Sequence, residues 1–218
     1  MNFMPSSPAI NLSQAKNILR FGGILVYPTE TFFAVGCRSD APEAVALIGA
    51  LKCRLPEKPF PLIVPDLARA ERIADFGELH RRVAENFWPG PLTMLLRARG
   101  YLDPRLKNGQ NKVALRVPAS TVARGLAEAC GVPIISTSAN FSGSPPAATF
   151  GELNLKFLEN LRRIGGAVLR ESGEEKRFKL PSTIVGFEES AAKILRDGAI
   201  SRSSLEAKGI PIIDPEKL

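Results

Sequence analysis

Apolar positions run along this chain in two rhythms, one helical and one strand-like, and polar clusters fall where the rhythm breaks. From Asn11 to Arg20, Ala15, Ile18 and Leu19 form an apolar stripe at helical spacing, with Ser13 as an N-cap and Gly22-Gly23 as the stop. Ile24-Leu25-Val26-Tyr27 is then short and continuously apolar, as a buried strand is. It breaks at Pro28-Thr29-Glu30-Thr31, and Phe32 to Cys37 returns to apolar residues expected in the core. Asp40-Ala41-Pro42 opens a second helix that runs to about Leu51. Phe60 to Val64 reads as a strand, Asp66 caps a helix to about Ala74, and Glu78 to Phe87 is another helix.

Trp88-Pro89-Gly90-Pro91 predicts a rigid corner before the strand Leu92 to Leu96. Tyr101 to Lys112 is polar and expected to be mobile. Val113 to Pro118 is a strand with one arginine, Arg116, among apolar residues; it must meet an anion or solvent. Ser120 to Cys130 predicts a helix, and Ile134-Ile135 a strand that opens into Ser136-Thr137-Ser138-Ala139-Asn140-Phe141-Ser142-Gly143. Thr149 and Glu152 have capping-box spacing for a helix to about Leu161. Gly166 to Arg170 is a strand, Ser172 to Lys179 a charged turn, and Pro181 to Gly186 and Lys193 to Gly198 are two closing strands. Strands alternating with helices, then strands predominating, imply one α/β domain over residues 10–200, around a twisted, open, mixed parallel and antiparallel sheet with flanking helices. Residues 201–218 read as a peripheral tail.

Composition narrows the chemistry. The longest apolar runs fall far short of the roughly 18–20 residues that cross a membrane, and no secretory signal opens the chain, so a cytoplasmic location is expected. Three cysteines without a CxxC pair give neither a disulfide framework nor a zinc site. The single histidine, His80, falls on the polar face of a helix, which leaves a Ser-His-Asp triad without its base. No GxxxxGK[ST], GxGxxG or HExxH pattern occurs. What remains is hydroxyls, amides and cations, with a net charge of +7 that favours anionic partners. Lys52, Arg54 and Lys58 lie in a segment that Pro56 and Pro59 hold out of helix. Such a loop suits phosphate oxygens, and equally a solvated surface. Hydroxyls and fixed cations bind anions and stabilise developing charge, the requirements of phosphoryl or nucleotidyl transfer.

Six blocks, in order, resemble the threonylcarbamoyl-AMP synthase (YrdC-like) family: Tyr27-Pro28-Thr29-Glu30-Thr31, Lys52-x-Arg54-x-x-x-Lys58-Pro59, Trp88-Pro89-Gly90-Pro91-Leu92-Thr93, Val113-Ala114-Leu115-Arg116-Val117-Pro118, Ser136-Thr137-Ser138-Ala139-Asn140-x-Ser142-Gly143, and Pro181-Ser182-Thr183-Ile184 with Leu195-Arg196. The sequence departs from the family pattern at Phe33, Ala34, Lys112 and Ala148. The resemblance implies a concave basic face and a synthase that makes threonylcarbamoyl-AMP and pyrophosphate from L-threonine, bicarbonate and ATP, with Mg²⁺ carried on the nucleotide. It implies that Thr29, Thr31, Arg116, Ser138 and Ser182 hold L-threonine, that Lys52, Arg54, Lys58, Asn140 and Arg196 hold ATP, and that Lys52 and Arg54 are catalytic; it assigns no resident metal. It also implies tRNA and the tRNA threonylcarbamoyl-transfer proteins as partners. The alternative is an RNA-binding YrdC-like module without synthase activity, against which stands the 7% aromatic content, with few rings free to stack on bases.

Overall fold

A computed structural model of the chain describes residues 10–55, 58–100, 102–170, 178–188 and 190–213. The order is α1 (Leu12–Arg20), β1 (Leu25–Tyr27), β2 (Ala34–Gly36), α2 (Pro42–Lys52), β3 (Leu62–Ile63), α3 (Leu67–Glu71), α4 (Glu78–Phe87), β4 (Leu92–Arg97), β5 (Lys112–Arg116), α5 (Thr121–Cys130), β6 (Ile134–Ile135), β7 (Thr137–Ser138), α6 (Leu155–Arg163), β8 (Ala167–Val168), β9 (Thr183–Glu188), β10 (Ala191–Arg196), α7 (Arg202–Glu206) and β11 (Ile212–Ile213). The mixed α/β domain is as expected, but its strands divide into two sheets. The larger runs β11-β10-β9-β4-β5-β3-β6 and the smaller β7-β2-β1-β8, each with parallel and antiparallel pairs.

The seam between the sheets is the Ser-rich stretch itself. Ile134 and Ile135 pair with β3 in the larger sheet, and two residues later Thr137 and Ser138 pair with β2 in the smaller, so the chain changes sheets at Ser136. The β1–β2 hairpin is clasped to the same point. The Gly36 backbone passes so close that a Cβ there would lie 1.9 Å from the Ile135 carbonyl oxygen, and the buried Tyr27 hydroxyl donates to that oxygen at 3.2 Å. Gly36→Ala is therefore expected to push the sheets apart and cost about 1–3 kcal/mol by overpacking, read as a lower urea midpoint; an unchanged midpoint would mean that the seam yields freely.

One core cluster, with Val26, Val35, Ile48, Leu62, Met94 and Leu115, fills the space between the sheets and their helices. A second joins Leu19 of α1 and Leu126 of α5 to Leu25, Tyr27 and Ile134 behind the smaller sheet. Helix starts follow local hydrogen bonding. Asn11, not Ser13, caps α1, because Gln14 stands three residues on and the two side chains satisfy each other's backbone N–H groups at 2.9 Å. Thr149 and Glu152 cap only a short 3₁₀ turn (Phe150–Glu152), and Asn154 starts α6. The third helix stops at Glu71, short of Ala74.

The connection expected to be mobile is tied down over its described residues 102–112. Leu106 is fully buried, the Arg105 carbonyl accepts from Phe60 N–H at 2.9 Å, and the Asn108 side chain accepts from the Gln110 and Lys112 N–H groups. The stretch expected to be a peripheral tail adds an edge strand to the larger sheet, β11 beside β10, and buries Leu205 and Ile210; residues 214–218 and most of the expected charged turn lie outside the described residues. His80 is not solvated. It is half-buried, its Nδ1 accepts from Gly77 N–H at 3.0 Å, and its ring meets Phe187 at 4.3 Å. Among the described residues no helix is long and apolar enough to cross a membrane.

Candidate active site

A cavity of about 620 Å³ opens where the two sheets meet. That size is ordinary for a small-molecule site. Nine of the ten site residues expected from the sequence line it; Lys52 does not. The turn after β1 contributes Thr29 and Thr31, the seam contributes Ser138 and Asn140, and the loop after α2 contributes Arg54 and Lys58. Arg116 comes from the end of β5, with Ser182 and Arg196 from the entry of β9 and the end of β10.

Arg116 is fixed from two sides. Its Nε donates to the Gly90 carbonyl at 3.1 Å, and its Nη2 donates to the Glu30 carboxylate. The Trp88-Pro89-Gly90-Pro91 corner thus acts as a support for the guanidinium, and it needs glycine, since a Cβ at Gly90 would meet the Phe87 carbonyl oxygen at 2.3 Å. Glu30 also accepts from the Ala119 and Ser120 N–H groups at the start of α5. Burial alone would raise the Glu30 carboxyl; the Arg116 charge and these hydrogen bonds outweigh it and hold the group below the usual carboxylate range. Glu30 stays ionised, and Arg116, held by it, lines the cavity.

The hydroxyls have defined polarity. Thr29 Oγ1 donates its one proton to the Phe32 carbonyl at 2.7 Å, so the 3.0 Å contact with Thr31 has Thr31 as donor, and the Thr31 oxygen keeps its lone pairs for a cation or hydroxyl. Ser182 Oγ lies 2.9 Å from Thr93 Oγ1 and accepts from Arg196 Nη2 at 3.0 Å. The Ser138 hydroxyl has no partner among the described residues, so it is available to a ligand.

The cations are under-neutralised. Arg54 braces its own loop, donating to the Lys58 and Pro59 carbonyls at 2.8 Å each and lying 4.7 Å over the Phe60 ring. Burial lowers both Arg54 and Arg196 from their ordinary values, and the nearby Arg116 charge lowers Arg196 further; a guanidinium remains charged regardless. Among the described residues only Arg116, of the four cations lining the cavity, has a salt-bridged carboxylate. Three positive charges left over in a partly dry hollow call for an anion of several charges.

Lys52, expected from the sequence at ATP, is not among the residues that line the cavity. Its side chain is buried, 2% exposed for the residue as a whole, and its ammonium donates to the Ser138 and Asn140 carbonyls at 2.5 and 2.7 Å and to Asn140 Oδ1 at 3.5 Å. These contacts direct the amino group at the loop. Asn140 is tied into the same loop, its Nδ2 donating one of its two protons to the Ser144 carbonyl. Burial, with the Arg54 charge second, pushes Lys52 down to about 7. Since the unfolded value is about 10.4, the unfolded chain binds more protons between those limits, and this group adds stability as pH rises from about 7 to about 10. Wild type is expected to gain in urea midpoint relative to Lys52→Met over that window; a constant difference would show that Lys52 titrates normally.

Glu30, Thr93 and Ser136 also belong to the site, and sequence reasoning gave them no role. Glu30 was legible in principle: one carboxylate in a buried turn and one arginine in a buried strand are each other's natural partner.

Known proteins share the sequence pattern and the fold of this chain. A family model described as Telomere recombination, named for Sua5, YciO and YrdC, matches residues 17–198. A protein of Cellvibrio japonicus named threonylcarbamoyl-AMP synthase is 39% identical over 182 residues, covering 82% of this chain and 95% of that one. One of the same name from Photobacterium profundum is 33% identical over 180 residues, covering 80% and 97%. The fold superposes on P. abyssi Sua5 complexed with L-threonine, with a TM-score of 0.81, 28% identity and 93% of this chain covered; the chain spans 58% of that protein's length. E. coli YciO follows with a TM-score of 0.74 and 25% identity, covering 86% of this chain and 89% of that one.

Proposed function

The chain belongs to the Sua5/YciO/YrdC family, and on that premise we propose that it is a threonylcarbamoyl-AMP synthase, a nucleotidyltransferase that condenses L-threonine, bicarbonate and ATP into threonylcarbamoyl-AMP, pyrophosphate and water. The observation that carries this is the Arg116 guanidinium, held by Glu30 and Gly90 beside small hydroxyls and facing three cations without a carboxylate. A carboxylate of an amino acid is matched by the Arg116 fork. Its ammonium and hydroxyl are matched by the Thr31 oxygen and the open Ser138 hydroxyl. A triphosphate is matched by Arg54, Lys58 and Arg196. ATP enters as its Mg²⁺ complex, the metal carried on the phosphates.

In this reading the threonine ammonium gives a proton to solvent, and the free amine attacks bicarbonate carbon with loss of water to give the carbamate. A carbamate oxygen attacks the α-phosphorus, and the bond from that phosphorus to the α–β bridging oxygen breaks, releasing pyrophosphate. The cavity's own side chains exchange no proton in the adenylation step. They hold the two substrates in line and balance charge on the pentacovalent phosphorus and on the departing pyrophosphate. The product would pass to tRNA through proteins that transfer the threonylcarbamoyl group, and the location would be cytoplasmic.

The names of the relatives and the L-threonine complex of Sua5 favour this reading over an RNA-binding module without synthase activity. Calorimetric titration separates the two. A synthase takes up one L-threonine and one ATP per chain; an RNA module ignores threonine and binds RNA with an affinity that falls steeply with salt.

A further inference from the structure

The basic loop contains one cation that serves the cavity without facing it. Lys52 closes α2, and its side chain runs beneath the seam loop instead of toward solvent. No carboxylate among the described residues lies within ion-pair distance of it, so its amino group is buried against carbonyl and amide oxygens alone. The contacts fall at one place. The ammonium takes the Ser138 and Asn140 carbonyls and the Asn140 side-chain oxygen, and the Lys52 carbonyl accepts from Ser142 N–H at 2.9 Å. Both ends of Lys52 therefore grip the segment Ser138–Ser142. Within that segment Asn140 N–H donates back to the Ser138 carbonyl at 2.9 Å and Asn140 Nδ2 ties down Ser144, so one ammonium anchors the whole turn.

The geometry points to Lys52 as a positioning residue, one that sets the Ser138–Ser142 turn from behind and thereby aims the Ser138 hydroxyl at the amino-acid half of the cavity, without touching either substrate. This rests on the synthase reading for the identity of the substrate, but not for the role of the turn. It separates two cations two residues apart. Arg54 lines the cavity, and Lys52 holds the turn whose Ser138 and Asn140 line it too. A direct phosphate ligand would affect nucleotide binding alone. A residue that sets the turn affects threonine even with no nucleotide present.

The experiment uses the full chain with Lys52→Met and, because removal of three hydrogen bonds could impair folding, Lys52→Gln, which keeps two donors on a shorter stem. Amide hydrogen exchange is read at Asn140 and Ser142, with the α5 amides as the control for global stability. L-Threonine affinity is measured by calorimetry without ATP. Loss of these hydrogen bonds predicts about tenfold or greater loss of threonine affinity and exchange at least about tenfold faster at Asn140 and Ser142, with α5 unchanged. Mere loss of stability would instead lower the fraction of binding-competent protein and speed exchange in α5 as well, leaving the affinity of the folded fraction intact; that result overturns the proposal. So does unchanged exchange in the turn, or loss of ATP affinity with threonine binding intact. If wild type itself ignores threonine, the synthase reading fails, and the exchange arm still decides whether Lys52 sets the turn.

Discussion

Glu30→Ala is expected to destabilise the fold by about 3–5 kcal/mol, because it strands a buried guanidinium, and to abolish measurable L-threonine binding in whatever folds. The side chains of Arg116 and Glu30 are 10% and 5% exposed, so neither water nor salt replaces the missing partner. The same substitution leaves the Ala119 and Ser120 N–H groups without their acceptor at the start of α5. An Arg116 released from Glu30 keeps its bond to the Gly90 carbonyl but no longer has its plane fixed. The pH dependence follows from the sign of the shift. Folding lowers the Glu30 carboxyl below its unfolded value, so its contribution is complete above the ordinary glutamate range, near 4.3, and is lost as pH falls through the folded value. Glu30→Gln, which keeps the shape and one acceptor, should flatten the acid limb of the stability profile. Urea midpoints between pH 3 and 7, with threonine titrations at neutrality, provide the check. A Glu30→Ala protein with wild-type midpoint and threonine affinity would show that Arg116 needs no partner and is held by Gly90 alone.

Arg54→Ala carries the second large effect. Arg54 turns toward the cavity from a loop it holds together itself, through two backbone carbonyls and the Phe60 face. If it meets the departing pyrophosphate, its loss removes about 2–4 kcal/mol of transition-state stabilisation, a fall in kcat of about thirtyfold to about a thousandfold at 1.36 kcal/mol per factor of ten. Arg54→Lys separates charge from bracing. The ammonium keeps the charge but lacks the planar fork for the Lys58 and Pro59 carbonyls, so activity should recover only in part. Near-full threonine-dependent pyrophosphate release by Arg54→Ala would remove Arg54 from the chemistry.

The sequence carried the wall of the cavity better than its support. Thr31, Ser138 and Ser182 sit where an apolar run borders short polar residues, and Arg116 is the lone charge within one; both features are written in the order of residues. Lys52 looked like its neighbours Arg54 and Lys58, because three cations within seven residues do not say which way each side chain turns. Its direction is decided by the Ser138–Ser142 turn, which is 86 residues or more away in the chain. The split into two sheets was hidden for the same reason. Ile134-Ile135 and Thr137-Ser138 read as one strand and its loop, and only pairing with β3 and with β2 reveals the change at Ser136. Local boundaries failed where a second local partner competed, as Asn11 with Gln14 did against Ser13. The polar connection at 102–112 failed because two leucines among polar residues, the buried Leu106 and Leu102 against the core, were enough to anchor it.

The central claim is that one hollow holds an amino acid against a nucleotide and joins them. The most direct measurement is pyrophosphate release by the full chain from Mg·ATP, with L-threonine and bicarbonate supplied together and each withheld in turn. The account predicts release that requires both, with threonylcarbamoyl-AMP formed in equal amount; release that is indifferent to threonine, or none with all three present, would contradict it.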